Sequence, residues 1–424
     1  MNKERIRQVI IDHRETYLEQ SYIPRHQELE PQGNYCFVGI RRTGKSFLML
    51  QQIHDRLDLG LSLSQVVYLN FEDERLLEMT TEDLNTILEI ALESTGTEKK
   101  PQLFLDEIQN VTGWEKFVRR LADMKYPISI TGSNSRMLSR EIASTLGGRL
   151  LIRQVYPYTF QEYLKANGET NFLPEALGTK KRARIQVLYA DYVTFGAFPE
   201  LVNIHSKQNY LHTIYQTIYL GDILARNKIT NDFALRLILK KIAESAMRPL
   251  SFSRLTNILK STGAAIGKQT VINYVGYVMD SYLLFPVCNY AAKLVEKESN
   301  PKYYFMDTGL LGLFLLDKAA AQLENLAAVE LCRRYGVENI FYYGGKVEVD
   351  FYIPQASLAI QVSYQILTDL DTYRRETNAL VRLKKLLPET RCLILTNSEE
   401  KEAEEEGVPI SIVPMWKWLL REEV

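Results

Sequence analysis

The sequence has 424 residues, of which 51 are lysine or arginine and 52 are aspartate or glutamate, so its formal net charge is −1. This length is too great for a single hydrophobic core and predicts two or three domains. The balanced charge excludes recruitment of nucleic acid by the field of the whole chain, and the four scattered cysteines, which lack a CxxC spacing, exclude a zinc knuckle and a disulfide framework.

The N-terminus is charged and has helical composition over residues 3–20. It lacks the apolar centre of a signal peptide, and no apolar stretch of the sequence approaches the length needed to cross a bilayer. The sequence therefore predicts a cytoplasmic protein that does not enter a membrane.

Residues 39–46 form a complete GxxxxGKS phosphate-loop motif between the apolar run 35–38 and the helix-like run 47–50. A strand, a glycine turn and a helix N-terminus in this order direct backbone N–H groups at one point, where phosphate binds. Lys45 is expected to reach the β and γ phosphates and Ser46 to complete the shell of a Mg²⁺ ion. The alternative is a glycine turn with a chance lysine. The predicted nucleotide-binding residues are Gly39, Arg41, Arg42, Thr43, Gly44, Lys45, Ser46 and Phe47.

A second motif is the apolar run 103–105, which ends in Asp106 and Glu107 and is typical of a Walker B strand. Asp106 is expected to hold the magnesium through water, and Glu107 to polarise the water that attacks the γ phosphate. Such acids can also simply face solvent at the end of a buried strand. Their combination with the phosphate loop favours the ATPase interpretation.

A third apolar run, residues 128–131, leads into a small polar segment that contains Ser133 and Asn134. Either side chain would lie where a sensor of the γ phosphate orients the attacking water. A polar strand-to-helix turn with an N-cap residue explains the same pattern, and the sequence does not separate the two interpretations.

Strands are predicted at 35–38, 66–71, 102–106, 127–131 and 150–155, with helices between them. This alternation is typical of a parallel sheet with helices on both faces, which binds its ligand at the carboxyl ends of the strands. The predicted class is therefore α/β, a P-loop NTPase sheet.

The motifs GIRRTGKS, LFLDEIQN and TGSNSRML, followed by residues 145–149 and 157–164, occur in this order. Together they resemble the AAA+-type P-loop ATPases of AAA_14 plus DUF4143 architecture. The resemblance implies ATP with Mg²⁺, and it implies that Arg149 contacts nucleotide, either in its own chain or from a neighbour in a homo-oligomer. A structural arginine that ties a lid to the sheet is the alternative. The architecture implies an ATPase domain over 1–155 and a helical lid or linker over 156–233.

Residues 234–310 are predicted to form a winged helix-turn-helix, with two helices around a glycine turn and β-prone runs at 282–285 and 302–305. In a DNA reader, the second helix would enter the groove. A protein-packing role is the alternative, because this helix carries few basic residues. The groove-facing residues would be Lys268, Gln269, Asn273 and Tyr277.

In residues 311–424, two β-prone runs on either side of 354–357 predict a hairpin with Ile353 opposite Leu358. This register places Asp350 opposite Gln361 and Glu348 opposite Ser363, all on one face.

The hairpin resembles the core of PD-(D/E)xK nucleases, and either Glu324 or Glu330 would be the additional acid of that pattern. Gln361 stands where the family has glutamate and Ser363 where it has lysine, so we expect weak metal binding and no cation beside the attacking water. The expectation is an inactive nuclease-like domain that is retained for binding nucleic acid or a partner. An ordinary amphipathic hairpin is the alternative.

Taken together, the motifs predict a Mg²⁺-dependent ATPase that couples hydrolysis to movement of a winged helix and a degenerate nuclease-like region. One alternative is a nucleotide-gated DNA- or protein-binding regulator with little turnover. A third hypothesis is an ATP-dependent DNA endonuclease, which Gln361 and Ser363 argue against.

Overall fold

The computed structural model describes residues 1–27, 29–30, 33–95, 99–133, 146–264, 266–293 and 299–421. The chain divides into two compact units, one made of residues 1–156 and 280–282 and the other of residues 157–279 and 283–424. The first boundary lies within one residue of the predicted end of the ATPase domain. The further boundaries at 233 and 310 stay predictions.

The first unit contains five parallel strands in the order β2-β3-β4-β1-β5. Each predicted strand is present, with ends shifted by at most one residue. The strand that precedes the phosphate loop, β1, and the strand that precedes the acid pair, β3, therefore both flank β4. The strands are β1 (Tyr35–Val38), β2 (Val66–Asn70), β3 (Gln102–Asp106), β4 (Ile128–Gly132) and β5 (Leu151–Gln154).

Helices cover both faces of this sheet, and each face has its own hydrophobic core. In β1, Cys36 and Val38 point into one core, while Tyr35 and Phe37 point into the other, as the alternation of side chains along a strand requires. The fold is thus the α/β P-loop NTPase class that the sequence predicts. The helices are α1 (Lys3–Leu18), α2 (Lys45–Asp58), α3 (Thr81–Thr95) and α4 (Trp114–Asp123).

The second unit begins with helices. Residues 218–225 continue one of them as a π-helix. The pair α9 and α10 surrounds the predicted glycine turn, and strands β6 and β7 pair antiparallel after it, as a wing would. These elements are α5 (Phe160–Ala166), α6 (Thr179–Phe195), α7 (Lys207–Thr217), α8 (Asp232–Glu244), α9 (Phe252–Ser261), α10 (Lys268–Asp280), β6 (Leu284–Asn289) and β7 (Lys302–Phe305).

Strands β6 and β7 belong to an eight-stranded mixed sheet with the order β12-β13-β11-β10-β9-β8-β6-β7. Strands β10, β11 and β13 are parallel neighbours, and β9 pairs antiparallel with β10. The remaining elements are α11 (Thr308–Gly312), α12 (Ala319–Tyr335), β8 (Phe341–Tyr343), β9 (Val349–Ile353), β10 (Leu358–Ser363), α13 (Leu370–Leu386), β11 (Arg391–Thr396), β12 (Lys401–Glu405), β13 (Val408–Pro414) and α14 (Met415–Leu420).

A search of the described part of the chain finds no helix that combines the length and the apolar character needed to cross a bilayer.

Candidate functional site

The phosphate loop connects β1 to α2, and its backbone requires glycine at two positions. Gly39 has φ +144°, and a Cβ there would lie 2.3 Å from the carbonyl oxygen of Val155. Gly44 has φ +87° and precedes the first residue of α2. Side chains rarely adopt these conformations, so the two glycines of the motif are needed by the turn itself. The turn delivers the N-terminus of α2, the positive end of a helix dipole, to the loop.

Lys45 is the first residue of α2 and is only 5% exposed. Its Nζ donates hydrogen bonds to the carbonyl oxygens of Gly39 (3.1 Å) and Ile40 (3.2 Å). It also lies 3.9 Å from Oε1 of Glu107. The ammonium group is therefore held inside the curl of the loop, on the side that faces Glu107, directly after β3.

Arg25 fixes the loop from outside, which the sequence analysis missed. This arginine is buried, and its guanidinium donates to the carbonyl oxygens of Thr43 (3.0 Å) and Tyr156 (2.8 Å). Its backbone exchanges two hydrogen bonds with the side chain of Gln51 on α2. Arg25 thus joins the phosphate loop to Tyr156, the residue at which the main segment of the first unit ends. It lies in an irregular segment with no motif, so no sequence signal could have identified it.

Asp106, at the end of β3, is almost completely buried. The side chain of Ser46 lies near its carboxylate. The carboxylate accepts hydrogen bonds from the hydroxyls of Thr131 and of Tyr68, the latter at 3.0 Å. Burial, and then the charge of Glu107, raise the pKa of Asp106, whereas the side chain of Ser46 acts to lower it. A cation next to this carboxylate would relieve both effects, because it favours the ionised form.

Glu107 adopts a left-handed backbone conformation with φ +52°, which is uncommon for a residue other than glycine. Its N–H donates to Oγ1 of Thr131 at 2.8 Å, and its carboxylate accepts a hydrogen bond from Gln109. The hydroxyl of Thr131 therefore contacts both residues of the acid pair. It donates to the carboxylate of Asp106 and accepts from the backbone N–H of Glu107. The sequence predicts that Thr131 lies on the strand at 127–131 but indicates no role for it.

Ser133, one of the two predicted sensors, is buried at the end of β4. Its Oγ has no hydrogen-bond partner among the residues that the structure describes. A buried hydroxyl without a partner is unusual in proteins. The other predicted sensor, Asn134, lies outside the described residues.

The remaining predicted contacts lie farther out. Arg41 pairs with Glu72 at 3.2 Å, and Arg42 and Phe47 are exposed. Arg149 places its Nε 2.5 Å from Oδ1 of Asp123, at the end of α4. Within this chain it therefore ties the turn before β5 to α4. Contact with a nucleotide, its own or a neighbour's, stays a prediction.

These residues fit a magnesium nucleotide. The cradle around Gly39 has no room for a side chain, and the hydroxyl of Ser133 has no partner among the described residues. Ser46 and Asp106 supply oxygen atoms, which Mg²⁺ prefers. Lysine, serine and two acids are thereby collected at the carboxyl edge of a parallel sheet, where such folds bind ligands.

The hairpin of β9 and β10 has the predicted register, with Ile353 paired with Leu358. Oε1 of Gln361 accepts the N–H of Asp350 (2.8 Å), and Oδ2 of Asp350 accepts the N–H of Val362 (3.0 Å). The side-chain amide of Gln361 thus takes part in the hydrogen bonds that join the two strands of the hairpin.

Lys302, which lies outside the hairpin, is close to the carboxylates of Asp350 and Glu324. The expectation that no cation lies beside these acids is therefore wrong. Lys302 of β7 is 1% exposed, and its Nζ lies 3.1 Å from Oδ1 of Asp350 and 3.4 Å from Oε1 of Glu324. Tyr304 also donates to Glu324, at 2.6 Å. Burial lowers the pKa of Lys302, but the two acids outweigh it and raise the pKa overall.

Of the two proposed additional acids, the structure places Glu324 next to Asp350. The other candidate, Glu330, instead pairs with Arg333 and Arg334, which follow it by one turn of α12. The Ser363 hydroxyl donates to the carbonyl oxygen of Gln365 at 3.2 Å. Glu330 and Ser363 therefore have other partners. Within the described ranges, no group of three or more histidine, cysteine, aspartate or glutamate side chains is placed to hold a metal ion.

Two parts of the chain match known protein families separately. Residues 32–164 match the AAA domain family AAA_14, and residues 186–339 match a domain of unknown function, DUF8612. The uncharacterized protein MJ1544 of Methanocaldococcus jannaschii is 33% identical over 97% of this chain and 94% of its own length. An uncharacterized protein of Haemophilus influenzae is 27% identical over 89% of this chain and 92% of its own.

Among solved structures, the Walker-type ATPase PABY2304 of Pyrococcus abyssi aligns with a TM-score of 0.43 and 13% identity over 74% of this chain and 95% of its own. The AAA-domain match agrees with the resemblance drawn from the motifs. The DUF4143 assignment and the nuclease-like assignment of the C-terminal region stay predictions.

Proposed function

This chain belongs to one protein family with MJ1544 and carries an AAA domain at residues 32–164, and from this premise we propose that it binds ATP with Mg²⁺ and hydrolyses it. The observation that carries the proposal is the 3.9 Å distance between Nζ of Lys45, from the phosphate loop, and Oε1 of Glu107, from the acid pair. It joins the two motifs that a P-loop ATPase needs at one point in space.

Each side chain has a distinct task in this proposal. Lys45 would exchange its bonds to loop carbonyls for bonds to phosphate, and Ser46 and Asp106 would hold the metal. Magnesium, when bound, neutralises charge on the phosphates. Glu107 accepts the proton of the attacking water, and the hydroxyl of Thr131 fixes the backbone from which Glu107 projects.

We further propose that turnover is coupled to movement of residues 157–424 through Arg25. One guanidinium contacts both Thr43 of the phosphate loop and Tyr156, immediately before the second unit begins. In this proposal, a shift of Thr43 between nucleotide states would move the Arg25 guanidinium and, with it, Tyr156. Closely shared hydrogen bonds of this kind can couple two positions because both cannot change independently.

A steady-state ATPase assay tests the main proposal. Turnover that depends on Mg²⁺ and is lost in both Lys45→Ala and Glu107→Gln is expected, whereas Lys116→Ala, an exposed lysine of α4, behaves as wild type. Tight ATP binding without turnover in the wild type favours the nucleotide-gated regulator instead. Absence of ATP binding by well-folded protein contradicts both.

A second function, binding of duplex DNA by α8–α10, is favoured by charge. Residues 232–280 contain seven basic side chains and three acidic ones, Asp232, Glu244 and Asp280, although the net charge of the whole chain is −1. Arg236 and Lys241 pair with acids, while the other five have no acidic partner within the described ranges. Such a local excess attracts the phosphate backbone. The seven are Arg236, Lys240, Lys241, Arg248, Arg254, Lys260 and Lys268.

Fluorescence anisotropy with a labelled duplex tests this second function. We expect Arg254→Glu/Lys260→Glu to weaken binding and to reduce the salt dependence by about two released counterions. The matched control is Lys116→Glu/Lys180→Glu, which makes the same charge change at two exposed sites elsewhere. Equal losses in both variants would show that only net charge matters.

A further inference from the structure

The second unit contains a cavity of about 430 Å³ that no motif predicts. One wall is built where three neighbouring parallel strands end. Tyr364 follows β10, Asn397 and Ser398 follow β11, and Trp416 lies in α14, directly after β13. The carboxyl ends of parallel strands leave a crevice in α/β sheets, and ligands bind there.

The opposite wall is formed by α6 and the first turn of α12. The amide of Gln322 on α12 donates to the carbonyl oxygens of Thr194 (3.0 Å) and Thr308 (2.9 Å). On the other side, the Asn397 N–H donates to the carbonyl oxygen of Tyr364 at 3.3 Å. Both walls are thus held by hydrogen bonds, so the cavity is formed in advance and needs little ordering when a ligand enters.

The electrostatics of the cavity favour an anion. Lys318 carries the only formal charge among the described residues that line it. It precedes the 17-residue helix α12, whose first turn has neither an acidic residue nor a side-chain cap. The free N–H groups and the positive dipole end of α12 therefore add to the charge of Lys318.

The rest of the lining favours a planar ring. Tyr189, Tyr364 and Trp416 contribute aromatic faces, and Trp416 and Tyr189 are buried while Tyr364 is partly exposed. Ala190 and Val193 supply apolar surface between them. Buried aromatic side chains bind flat ligands by stacking, and the exposed ring of Tyr364 leaves an open side for entry.

We propose that this cavity is a second ligand site, which takes a small planar aromatic anion of the size of a nucleoside monophosphate. The ring lies among Tyr189, Tyr364 and Trp416, and the anionic group lies at Lys318 and the N-terminus of α12. All lining residues belong to the second unit, whereas the phosphate loop belongs to the first, so the site is independent of the proposed ATPase function.

Calorimetric titration of the full-length protein tests the proposal with four nucleoside monophosphates, 4-hydroxybenzoate, adenosine and inorganic phosphate as probes. A monophosphate or the aromatic carboxylate is expected to bind more tightly than adenosine or phosphate alone, and the comparison between them identifies the anionic group. Binding is expected to fall roughly tenfold or more in Lys318→Glu. It persists in Lys45→Ala, which separates this site from the phosphate loop.

Two further variants complete the design. Ala319→Trp fills the cavity from an exposed helix position and should abolish binding without disturbing the core. Lys165→Glu makes the same charge change as Lys318→Glu at an exposed site elsewhere in the second unit and should leave binding unchanged. The proposal is overturned if no aromatic anion binds, if adenosine binds as well as its monophosphate, or if Lys318→Glu and Ala319→Trp both bind as the wild type does.

Discussion

The two units of this protein each bring a buried lysine to carboxylates, but they use it differently. In the second unit, Nζ of Lys302 lies 3.1 Å from Asp350 and 3.4 Å from Glu324. In the first, Nζ of Lys45 donates to loop carbonyls and stays 3.9 Å from Glu107. Lys302 is therefore ion-paired with both acids, whereas Lys45 is hydrogen-bonded to neutral carbonyls and has one acid nearby.

The difference shows how an ion pair can stabilise a fold or leave a site available. Carbonyl oxygens are neutral, so Lys45 can exchange them for phosphate without leaving an unpaired buried charge. Lys302 cannot leave, because Asp350 and Glu324 would then be buried without a cation. The comparison therefore favours the proposed phosphate binding at the first site and a structural role for Lys302 at the second.

The largest expected effect is on stability. Lys302→Met should lower the free energy of unfolding of the second unit by about 3–5 kcal/mol, because it leaves buried carboxylates uncompensated. Lys45→Met should cost the first unit less. Hydrogen exchange read by mass spectrometry reports the two units separately, and Lys302→Met/Asp350→Asn should recover part of the loss. Unchanged exchange around β7 and β9 in Lys302→Met contradicts the structural role.

A smaller effect is expected when the phosphate loop loses its outer support. Arg25→Gln removes two charged hydrogen bonds to backbone carbonyls and should weaken ATP binding about tenfold or more, by titration calorimetry. Arg14→Gln is the control, since Arg14 also donates to a carbonyl, that of Leu63 at 3.5 Å, but from α1. If both variants bind ATP as the wild type does, Arg25 does not position the loop.

The pH dependence of stability should distinguish Asp106. Its pKa in the folded protein is raised above the usual 3.8, mainly by burial and then by Glu107. Folding therefore favours the protonated form, and stability falls as pH rises from about 3.8 through the raised value. Without Mg²⁺, thermal unfolding of Asp106→Asn should lack this fall. Mg²⁺ with ADP should stabilise the wild type and not the variant. Identical pH profiles of the wild type and Asp106→Asn would contradict a raised pKa of Asp106.

The smallest expected effect is none at all. Purified protein with Mg²⁺ or Mn²⁺ should not nick plasmid DNA, because Lys302 pairs with the carboxylates and Gln361 is engaged in the hairpin. Asp350→Ala should behave as the wild type does in this assay. Nicking by the wild type that is abolished in Asp350→Ala would restore the endonuclease hypothesis.

Much of the first unit could be predicted because its signals are local. Apolar runs define the five strands, and Gly39 and Gly44 stand where the turn needs positive φ. The hairpin register of β9 and β10 follows equally from alternation across a short loop. The partners of these elements could not be predicted. Thr131 touches both acids of β3 only because β4 lies beside it.

The sequence by itself determined the parallel P-loop sheet, the identity of the loop and the acids expected to face it, since each depends on neighbours in the chain. Tertiary structure alone decided that Arg25 supports the loop, that Glu324 and not Glu330 meets Asp350, and that Lys302 neutralises them. The physical reason is that buried charges must be compensated by whatever group the fold brings within a few ångströms, and that distance is independent of separation along the chain.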